Sequence, residues 1–554
     1  MKRRLAALVV LVLALAGCGG IPTSGSVVPG NIFDEEQAID AVFDPPGPKA
    51  GATPKEILEG FILAATNPQN DYDVARLFLD ESIRATWDPD FIVQIRSDRG
   101  SVQVRSDTEL SFTLTSEASV NARGQYSEGV QATQQLDFTV VQHADGEWRI
   151  NSAPPGIVLS QAAFGTIFHA HPLYFFDPTN RFLVPDLRWF PRTTKLTNRI
   201  VSELLKGQST WLAQGVTNTY FPVDTVLASS VSINARVATI DLNDRALEAT
   251  AAERALMAEQ LRATLDSVSD IDLRVNGVAI DVPDTGAAQA VIHPQVSTQL
   301  LVRRDDSFGF LSDTGTVAAL PGQSEQILAL GAVAATLAND RKSTAVLAPD
   351  GVHLVFENAD DSLLVDARPG LIAPAIDTDG FVWTVPQSDA TAIHAYDAEG
   401  TLSVIDGAQF AGQAISFSVS RDGARVLMLF ATEFGPRLSV AGIVRRDGVP
   451  AQLGAAVQLP IDLGSPGIGA AWVDENTVAL LAASDTEGNA DVTLYTLGGP
   501  TVSAGRINRG VSIVGGNGGS NGLRVMTAEG DLYLSRGNGW ADLNTSVTFI
   551  GTQQ

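Results

Sequence analysis

Apolar residues recur at helical spacing from residue 53 onward, in "TPKEILEGFILAA". Thr53 suits the N-cap, Pro54 suits the first helical position, and Glu56 completes a capping box. The next apolar residues share one face of the predicted helix: Ile57, Leu58, Phe61, Ile62 and Ala65. The pattern therefore predicts an amphipathic helix that begins an ordered domain.

A second helix is predicted in "DYDVARLFLDESIRATW", with Val74, Leu77 and Phe78 facing inward. After it the pattern changes to the alternation typical of strands, in "SVQVRS", "LSFTLT" and "QQLDFTVVQ". A turn at Asp145-Gly146 leads into one more strand that carries Trp148, which we interpret as a core residue. Helices followed by a meandering sheet predict an α+β domain over residues 53–160.

A second α+β module is predicted over residues 170–285. It begins with two short strands around a Pro-Thr-Asn turn, followed by a helix in "KLTNRIVSELLKG" and a strand in "RVATIDL". A long helix is predicted over 246–268, with the stripe Met257, Leu261, Leu265 and Val268. The segment "IDLRVNGVAIDV" predicts a hairpin with a type I′ turn at Asn276-Gly277.

From residue 290 to 554 the helical signal disappears and short strands recur around acidic-Gly turns. The repeated segments are "VLAPDGVHLVF", "AIDTDGFVWTV", "FSVSRDGARVLML", "AWVDENTVALLA" and "VMTAEGDLYLS". Such repetition predicts a β-propeller, with a single β-sandwich as the alternative. At roughly 40–45 residues per blade, this region would hold about six blades.

The chain begins with three basic residues and an apolar run from Leu5 to Ala16, the order of an export signal. Twelve apolar residues would rise only about 18 Å as a helix, short of the roughly 30 Å hydrocarbon core. Leu15, Ala16, Gly17 and Cys18 resemble a bacterial lipobox, in which the cysteine thiol receives a diacylglycerol. The alternative is an ordinary cleaved signal with an incidental cysteine.

We accordingly expect residues 1–17 to be removed as a lipoprotein signal peptide and Cys18 to carry the lipid. Residues 18–52, rich in Gly, Pro and Ser, would form a flexible tether between the lipid and the folded part. The mature protein would then lie on the outer face of the cell membrane.

The net charge of the chain excludes some classes of binding partner. The net charge is −26, and removal of the basic signal residues makes the mature chain more acidic still. A chain of this sign is repelled by nucleic acids and by anionic membrane surfaces. The single cysteine also excludes an internal disulfide.

No catalytic or metal-binding constellation is predicted. His169 and His171 are the only close pair of histidines, and without a third ligand nearby we interpret them as part of a solvated linker. "SDTEGNAD", from Ser484, resembles the start of a calcium loop. Counted from Asp485, however, the twelfth position is Thr496, where the loop needs a Glu, so a hairpin turn is favoured. Most aspartates lie in Asp-Gly turns, where the side chain bonds the local backbone. We therefore expect no cofactor and no enzymatic activity.

The sequence resembles the LpqB family of actinobacterial lipoproteins. The resemblance rests on the lipobox at 15–18, on "ILEGFILAATNPQNDYDVARLFLDESIRATWDP" at 57–89 and on "DGEWRINSAPPGIVLS" at 145–160. "YFFDPTNRFLVPDLRWFPR" at 174–192 and "LLKGQSTWLAQGVTNTYFP" at 204–222 resemble a GerMN module. The resemblance implies two small α+β modules, the second GerMN-like, followed by a C-terminal β-propeller.

The resemblance also implies a partner, the sensor kinase MtrB, which acts with the response regulator MtrA in cell division and envelope homeostasis. The expected function is binding to the extracytoplasmic part of that kinase and modulation of its signalling. An envelope enzyme or glycan-binding factor that uses the propeller channel is the alternative from another functional class.

Overall fold

The computed structural model describes residues 45–554, apart from 214, 285, 287, 288, 298, 313, 517, 518 and 538. The first module has a six-stranded sheet with short helices packed against it. Its helices are α1 (Pro54–Ala64), α2 (Asp73–Arg76), α3 (Glu81–Arg84) and α4 (Gln161–Ile167). Its strands are β1 (Ile92–Arg96), β2 (Ser101–Val104), β3 (Glu109–Asn121), β4 (Tyr126–Gln142), β5 (Trp148–Ser152) and β6 (Ile157–Ser160).

Helix α1 begins with the predicted capping box. The Glu56 backbone N–H donates to Thr53 Oγ1 at 3.3 Å, and the Thr53 N–H donates to the Glu56 carboxylate at 2.8 Å. Ile57 and Leu58 are fully buried against the sheet. The predicted stripe is thus the inner face of the helix, and local capping together with burial determines where it begins.

The prediction of one second helix over residues 71–87 is wrong. Two single-turn helices, α2 and α3, replace it because the chain between them pairs with β5. The Ile150 N–H donates to the Phe78 carbonyl at 2.9 Å, and the Asp80 N–H donates to the Ile150 carbonyl at 2.7 Å. Phe78 is buried as predicted, but Leu77 is 49% exposed. The backbone pairing breaks the helical period that the sequence suggested.

The second module contains a two-stranded sheet and a four-stranded sheet that enclose two helices. Its helices are α5 (Leu196–Leu205) and α6 (Ala251–Thr264). Its strands are β7 (Phe168–Phe176), β8 (Leu183–Pro191), β9 (Ser232–Asn234), β10 (Val237–Leu242), β11 (Asp270–Val275) and β12 (Val278–Ala279). Strands β10 and β11 are parallel, with α6 in the crossover between them, while β11 and β12 form the predicted hairpin. Asn276 and Gly277 both have positive φ, as a type I′ turn requires.

Helix α6 is shorter than the predicted span of 246–268. Residues Asp244–Glu248 form a separate 3-10 turn, and a capping box between Thr250 and Glu253 starts the α-helix. Leu265 and Val268 are buried beyond the helix end. They continue the apolar period without helical backbone, which is why periodicity alone overestimated the helix.

The third region consists almost entirely of strands. They are β13 (Leu301–Arg304), β14 (Ser307–Leu311), β15 (Val317–Ala319), β16 (Ala334–Leu337), β17 (Ser343–Ala348), β18 (Gly351–Phe356), β19 (Leu363–Asp366), β20 (Ala375–Ile376), β21 (Val382–Thr384), β22 (His394–Tyr396), β23 (Leu402–Val404), β24 (Gln413–Val419), β25 (Arg425–Thr432), β26 (Gly435–Arg446), β27 (Val449–Leu453), β28 (Val457–Gln458), β29 (Gly467–Trp472), β30 (Thr477–Ala483), β31 (Asn489–Thr496), β32 (Thr501–Asn508), β33 (Gly510–Val514), β34 (Arg524–Thr527), β35 (Asp531–Arg536), β36 (Gly539–Ser546) and β37 (Phe549–Gln553).

These strands form a β-propeller. Blade 1 consists of β37, β13, β14 and β15, and the next blades consist of β16–β19, β20–β23, β24–β27, β29–β32 and β33–β36 in turn. The first strands of the blades contact one another in a closed ring, in the order β37, β16, β20, β24, β29, β33. The predicted class, α+β modules followed by a propeller, is confirmed.

One detail of the propeller differs from the prediction. A single helix, α7 (Ser324–Ala329), lies between blades 1 and 2, although no helix was predicted after residue 290. It is short and packs Ile327 into the core of blade 1. Six residues are too few to produce a recognisable helical period in the sequence.

Candidate functional site

The predicted lipidation residues Leu15, Ala16, Gly17 and Cys18 lie outside the described residues. Within the described range, no helix is both long and apolar enough to cross a bilayer. The same range contains no group of three or more His, Cys, Asp or Glu side chains arranged to hold a metal ion. A candidate site therefore has to be sought among cavities and surfaces.

The prediction that His169 and His171 belong to a solvated linker is wrong. Both lie in β7, and the His171 ring stacks on Phe190 with ring centroids 6.2 Å apart. Burial, followed by the charges of His169 and Arg192, lowers the pKa of His171 to about 4. His171 is therefore neutral at physiological pH and acts as a packing residue.

A cavity in the N-terminal module lies between α1 and the sheet. Its volume is about 50 Å³, far below the roughly 300–1,000 Å³ of typical ligand sites. The lining is largely apolar and includes Phe61, Leu136, Phe138, Pro155 and Ile157. This cavity has too little space for an organic ligand.

Propeller geometry sorts the turns between strands onto two faces. Neighbouring strands of a blade are antiparallel, while the ring strands β37 and β16 are parallel. Turns between first and second strands therefore lie on one face with the turns between third and fourth strands, and turns between second and third strands lie on the other. We call the face with the first-to-second and third-to-fourth turns the covered face, and the face with the second-to-third turns the open face.

The covered face meets the two α+β modules. His293 contacts Glu475 in the first turn of blade 5, with 2.5 Å between Nδ1 and Oε1. Trp189 in β8 donates from Nε1 to the Gly498 carbonyl at 2.7 Å. Arg181 forms an ion pair with Asp379, in the first turn of blade 3. These contacts bring the GerMN-like module against blades 3 and 5.

An apolar core supports the same junction. Val184, Leu212 and Val216 of the module cluster with Ala424 of blade 4, and all four are buried. Val216 lies directly over Gly442: a Cβ placed on that glycine would be 2.4 Å from Val216 Cγ2. The absence of a side chain at 442 is therefore what allows the module to approach β26.

A buried ion pair holds the turn that receives Arg181. Arg445 donates to Asp377 Oδ2 at 2.7 Å, and Trp383 Nε1 donates to the same oxygen at 2.9 Å. Asp377 and Arg445 side chains are almost fully buried. The pair fixes the turn of residues 377–381 from its buried side, so Asp379 is held in position to contact Arg181.

The open face has a different chemistry. Within the part of the chain that the structure describes, no hydrogen bond or ion pair joins its turns to either α+β module. Every second-to-third turn carries at least one exposed acidic residue, and together these are Asp305, Asp306, Asp350, Asp389, Glu433, Asp485, Glu487 and Glu529. The open face is thus rimmed by acidic residues from all six blades, of which Glu529 pairs with Arg509 and Asp350 pairs with His353.

An aromatic side chain interrupts this acidic rim. Phe434, at the turn between β25 and β26, is 71% exposed, and the neighbouring Leu463 is 46% exposed. Sequence reasoning missed both residues. The signal was present in "FATEFGPRL", where a phenylalanine occupies a turn position that normally carries a polar residue.

Three family models match successive parts of the chain. "Lipoprotein LpqB, N-terminal domain" matches residues 47–165, "Sporulation and spore germination" matches 172–281, and "Lipoprotein LpqB beta-propeller domain" matches 301–548. Their order is that of the three regions seen in the structure.

Relatives with the name Lipoprotein LpqB extend this match over nearly the full length. The protein of Mycolicibacterium smegmatis is 25% identical over 98% of both chains, and that of Cutibacterium acnes is 23% identical over 86% of both chains. Among solved structures, TolB from Acinetobacter baumannii is 12% identical with a TM-score of 0.35, covering 60% of this chain and 83% of its own. By its three domains and these relatives, the chain belongs to the LpqB family of lipoproteins.

Proposed function

We propose that this chain is a membrane-anchored extracytoplasmic lipoprotein that binds the extracytoplasmic part of the sensor kinase MtrB. Lipid on Cys18 would anchor it to the outer face of the cell membrane. Binding would modulate two-component signalling linked to cell division and envelope homeostasis. Membership of a lipoprotein family and the basic-apolar-small order of residues 2–18 support the anchor.

The observation that carries the binding role is the unequal use of the two propeller faces. One face holds the GerMN-like module through Arg181 and Trp189 and the connecting segment through His293, while the acidic open face makes no such contact among the described residues. A rigid body with one large unpartnered face is suited to an interaction role. It would bias a kinase by binding one of its conformational states more tightly than the other.

The centre of the propeller supports binding over catalysis in its channel. Gln554 is buried, and its side-chain amide donates to the Val419 carbonyl at 2.6 Å and accepts from the Ile376 N–H at 3.3 Å. Its backbone N–H donates to the Leu337 carbonyl at 3.1 Å. Gln554 thereby joins the ring strands β16, β20 and β24 and spans the covered-face end of the ring.

A binding isotherm tests the proposal. The chain beginning at Gly30, which retains every described residue, is titrated onto the immobilised extracytoplasmic domain of the cognate kinase. We expect saturable binding that chelators leave unchanged. Micromolar affinity is sufficient, because two partners tethered to one membrane have an effective concentration of about millimolar. Absence of saturation at high micromolar concentration, with hydrolysis of an envelope glycan or peptide by the same preparation, would favour the enzyme alternative.

A further inference from the structure

We infer that the partner docks on the open face of the propeller, with Phe434 and Leu463 inserted into an apolar pocket whose rim carries lysine or arginine. This inference rests on the proposed function and specifies its surface: the partner is a protein with a basic docking site.

Phe434 and Leu463 are exposed apolar residues of the open face that Gly435 brings close together. Phe434 is 71% exposed and Leu463 is 46% exposed. They come from different connections, the turn between β25 and β26 and the segment between blades 4 and 5, and they meet at Gly435. A Cβ on Gly435 would lie 2.4 Å from the Leu463 carbonyl oxygen and 3.4 Å from its side chain. Gly435, with a φ of 106°, is what lets the two segments pack together.

Hydrogen bonds within the turn fix the backbone at Phe434 before any partner protein binds. Thr432 Oγ1 donates to the Gly435 carbonyl at 2.8 Å and accepts from the Phe434 N–H at 3.1 Å, which closes the turn on itself. An aromatic side chain on a fixed turn loses little conformational freedom when it is bound. Exposed and preorganised aromatic residues of this kind dominate the energy of protein interfaces.

The residues around this pair determine the charge of the partner. Five exposed carboxylates belong to the same turn or to the connections next to it: Asp389, Glu433, Asp462, Asp485 and Glu487. None of the five forms an ion pair within the described part of the chain. Hydrogen bonds from nearby groups lower the pKa of Asp389 and Asp462, so both are ionised at neutral pH. A partner surface of opposite sign compensates this charge and accelerates encounter.

The same charge disfavours the other possible occupants. Anionic lipid headgroups and nucleic acids would be repelled by the rim of carboxylates. A partner pocket that is apolar, with basic residues at its rim, would bury the Phe434 side chain and pair with the surrounding carboxylates. We therefore assign the open face to a protein partner.

The direct test compares three variants of the chain beginning at Gly30 for binding to the kinase domain. Phe434→Ser should weaken binding at least tenfold without changing the thermal midpoint, because the side chain lies mostly in solvent. Glu433→Lys combined with Asp462→Lys should lower the association rate and remove most of the salt dependence of wild-type binding. Val223→Ser is the matched control, since Val223 is 84% exposed on the GerMN-like module. Equal affinity of Phe434→Ser and wild type would overturn the inference while leaving the proposed function intact.

A second experiment covers the case in which the kinase domain does not bind the wild type. The lipidated full chain, with a photocrosslinking amino acid at position 434 or 223, is irradiated in cells. We expect an adduct at 434 with one identified envelope protein, lost when Glu433 and Asp462 are both changed to lysine. Adducts with lipid at 434, adducts at 223 alone, or crosslinks from 434 to residues 19–44 of the same chain would each overturn the inference.

Discussion

His293, in the segment that connects the GerMN-like module to the propeller, contacts Glu475 of blade 5, with 2.5 Å between Nδ1 and Oε1. The hydrogen bond that His293 donates to this carboxylate is the main reason why the pKa of His293 is raised, and the charges of Asp266 and Asp474 act in the same direction. Burial alone would raise the pKa of Glu475, but His293 holds it below its usual value. The pair is therefore ionic at mildly acidic pH. Tyr174 also faces His293, with 3.4 Å between its hydroxyl and Nε2.

This pair predicts a pH-dependent contribution to stability. Because the pKa of His293 is raised in the folded state, the stabilisation is complete below the ordinary histidine value of 6.5 and is lost as pH rises through the folded pKa. His293→Gln should lower stability by about 1 kcal/mol or less at about pH 5.5, and by nothing measurable at about pH 9, since the histidine is half exposed. Urea midpoints of variant and wild type at both pH values provide the measurement. A constant difference would show that the pair does not titrate in this way.

Removing one partner of the buried Asp377–Arg445 pair should be costly. Both side chains are almost inaccessible, so Arg445→Met leaves an uncompensated carboxylate and is expected to cost about 3–5 kcal/mol. The Asp377→Asn/Arg445→Met double variant should recover part of that loss, as Trp383 Nε1 can still donate to the amide oxygen. Chemical denaturation of the single and double variants measures the coupling. Strictly additive effects would contradict a direct pair.

Capping at Thr250 is a local feature with a local effect. The Glu253 N–H donates to Thr250 Oγ1 at 3.2 Å, and the Thr250 N–H donates to the Glu253 carboxylate at 2.7 Å. Thr250→Ala should therefore destabilise α6 by about 1 kcal/mol, whereas Thr250→Ser should be close to neutral. The thermal midpoints of the two variants decide this, and equal losses would point to the methyl group instead of the hydroxyl.

The two capping boxes show how far local signals reach: the box at Thr53 predicts the start of α1, whereas the box at Thr250 was missed and the helix start was placed at 246. Capping boxes and Asn-Gly or Asp-Gly turns are determined by a few adjacent residues, so α1 and the hairpins of residues 270–279 and 343–356 could be located. Helix ends set by tertiary contacts could not. Leu79 forms a bridge with Ile150, which divides the predicted second helix, and nothing near Leu79 in the sequence indicates that partner.

The candidate surface depends on tertiary structure even more strongly. The acidic residues were recognised as turn residues, but their alignment on one face requires closure of the ring by β37 against β16. Phe434 and Leu463 become neighbours only when the segment that contains β28 packs along β26. Sequence patterning predicts which residues lie in turns, whereas the face that each turn occupies follows from the order of strands in the closed propeller.

Cys18 should be indispensable for the lipid anchor. Only a thiol can form the thioether, so Cys18→Ala should leave the precursor uncut or unlipidated. Intact mass then distinguishes the outcomes, because we expect the wild type to lose residues 1–17 and to gain acyl groups. Gly20→Ser, two positions further on, is the control and should be processed normally. A Cys18→Ala protein with the mass and detergent partitioning of wild type would refute lipidation at this residue.

The contact between Val216 and Gly442 offers a way to loosen the modules from the propeller without unfolding either. A methyl group at 442 would lie 2.4 Å from Val216 Cγ2 and 2.6 Å from Cγ1, and Val216 is fully buried. Gly442 does not have a positive φ, so Gly442→Ala acts through this collision and not through backbone strain. We expect faster proteolysis in residues 281–300, which connect the two regions.

A compensating substitution at Val216 provides the control for Gly442→Ala. Val216→Ala removes both clashing methyl groups, so the Gly442→Ala/Val216→Ala pair should restore wild-type proteolysis, whereas Val216→Ala alone leaves a cavity and should loosen the junction slightly. If the partner binds the open face, Gly442→Ala should change its affinity less than twofold, because the altered contact lies on the opposite face. Equal proteolysis of the single and double variants would show that the collision does not govern the junction. A large loss of binding in Gly442→Ala would instead mean that the module and the propeller act together in recognising the partner.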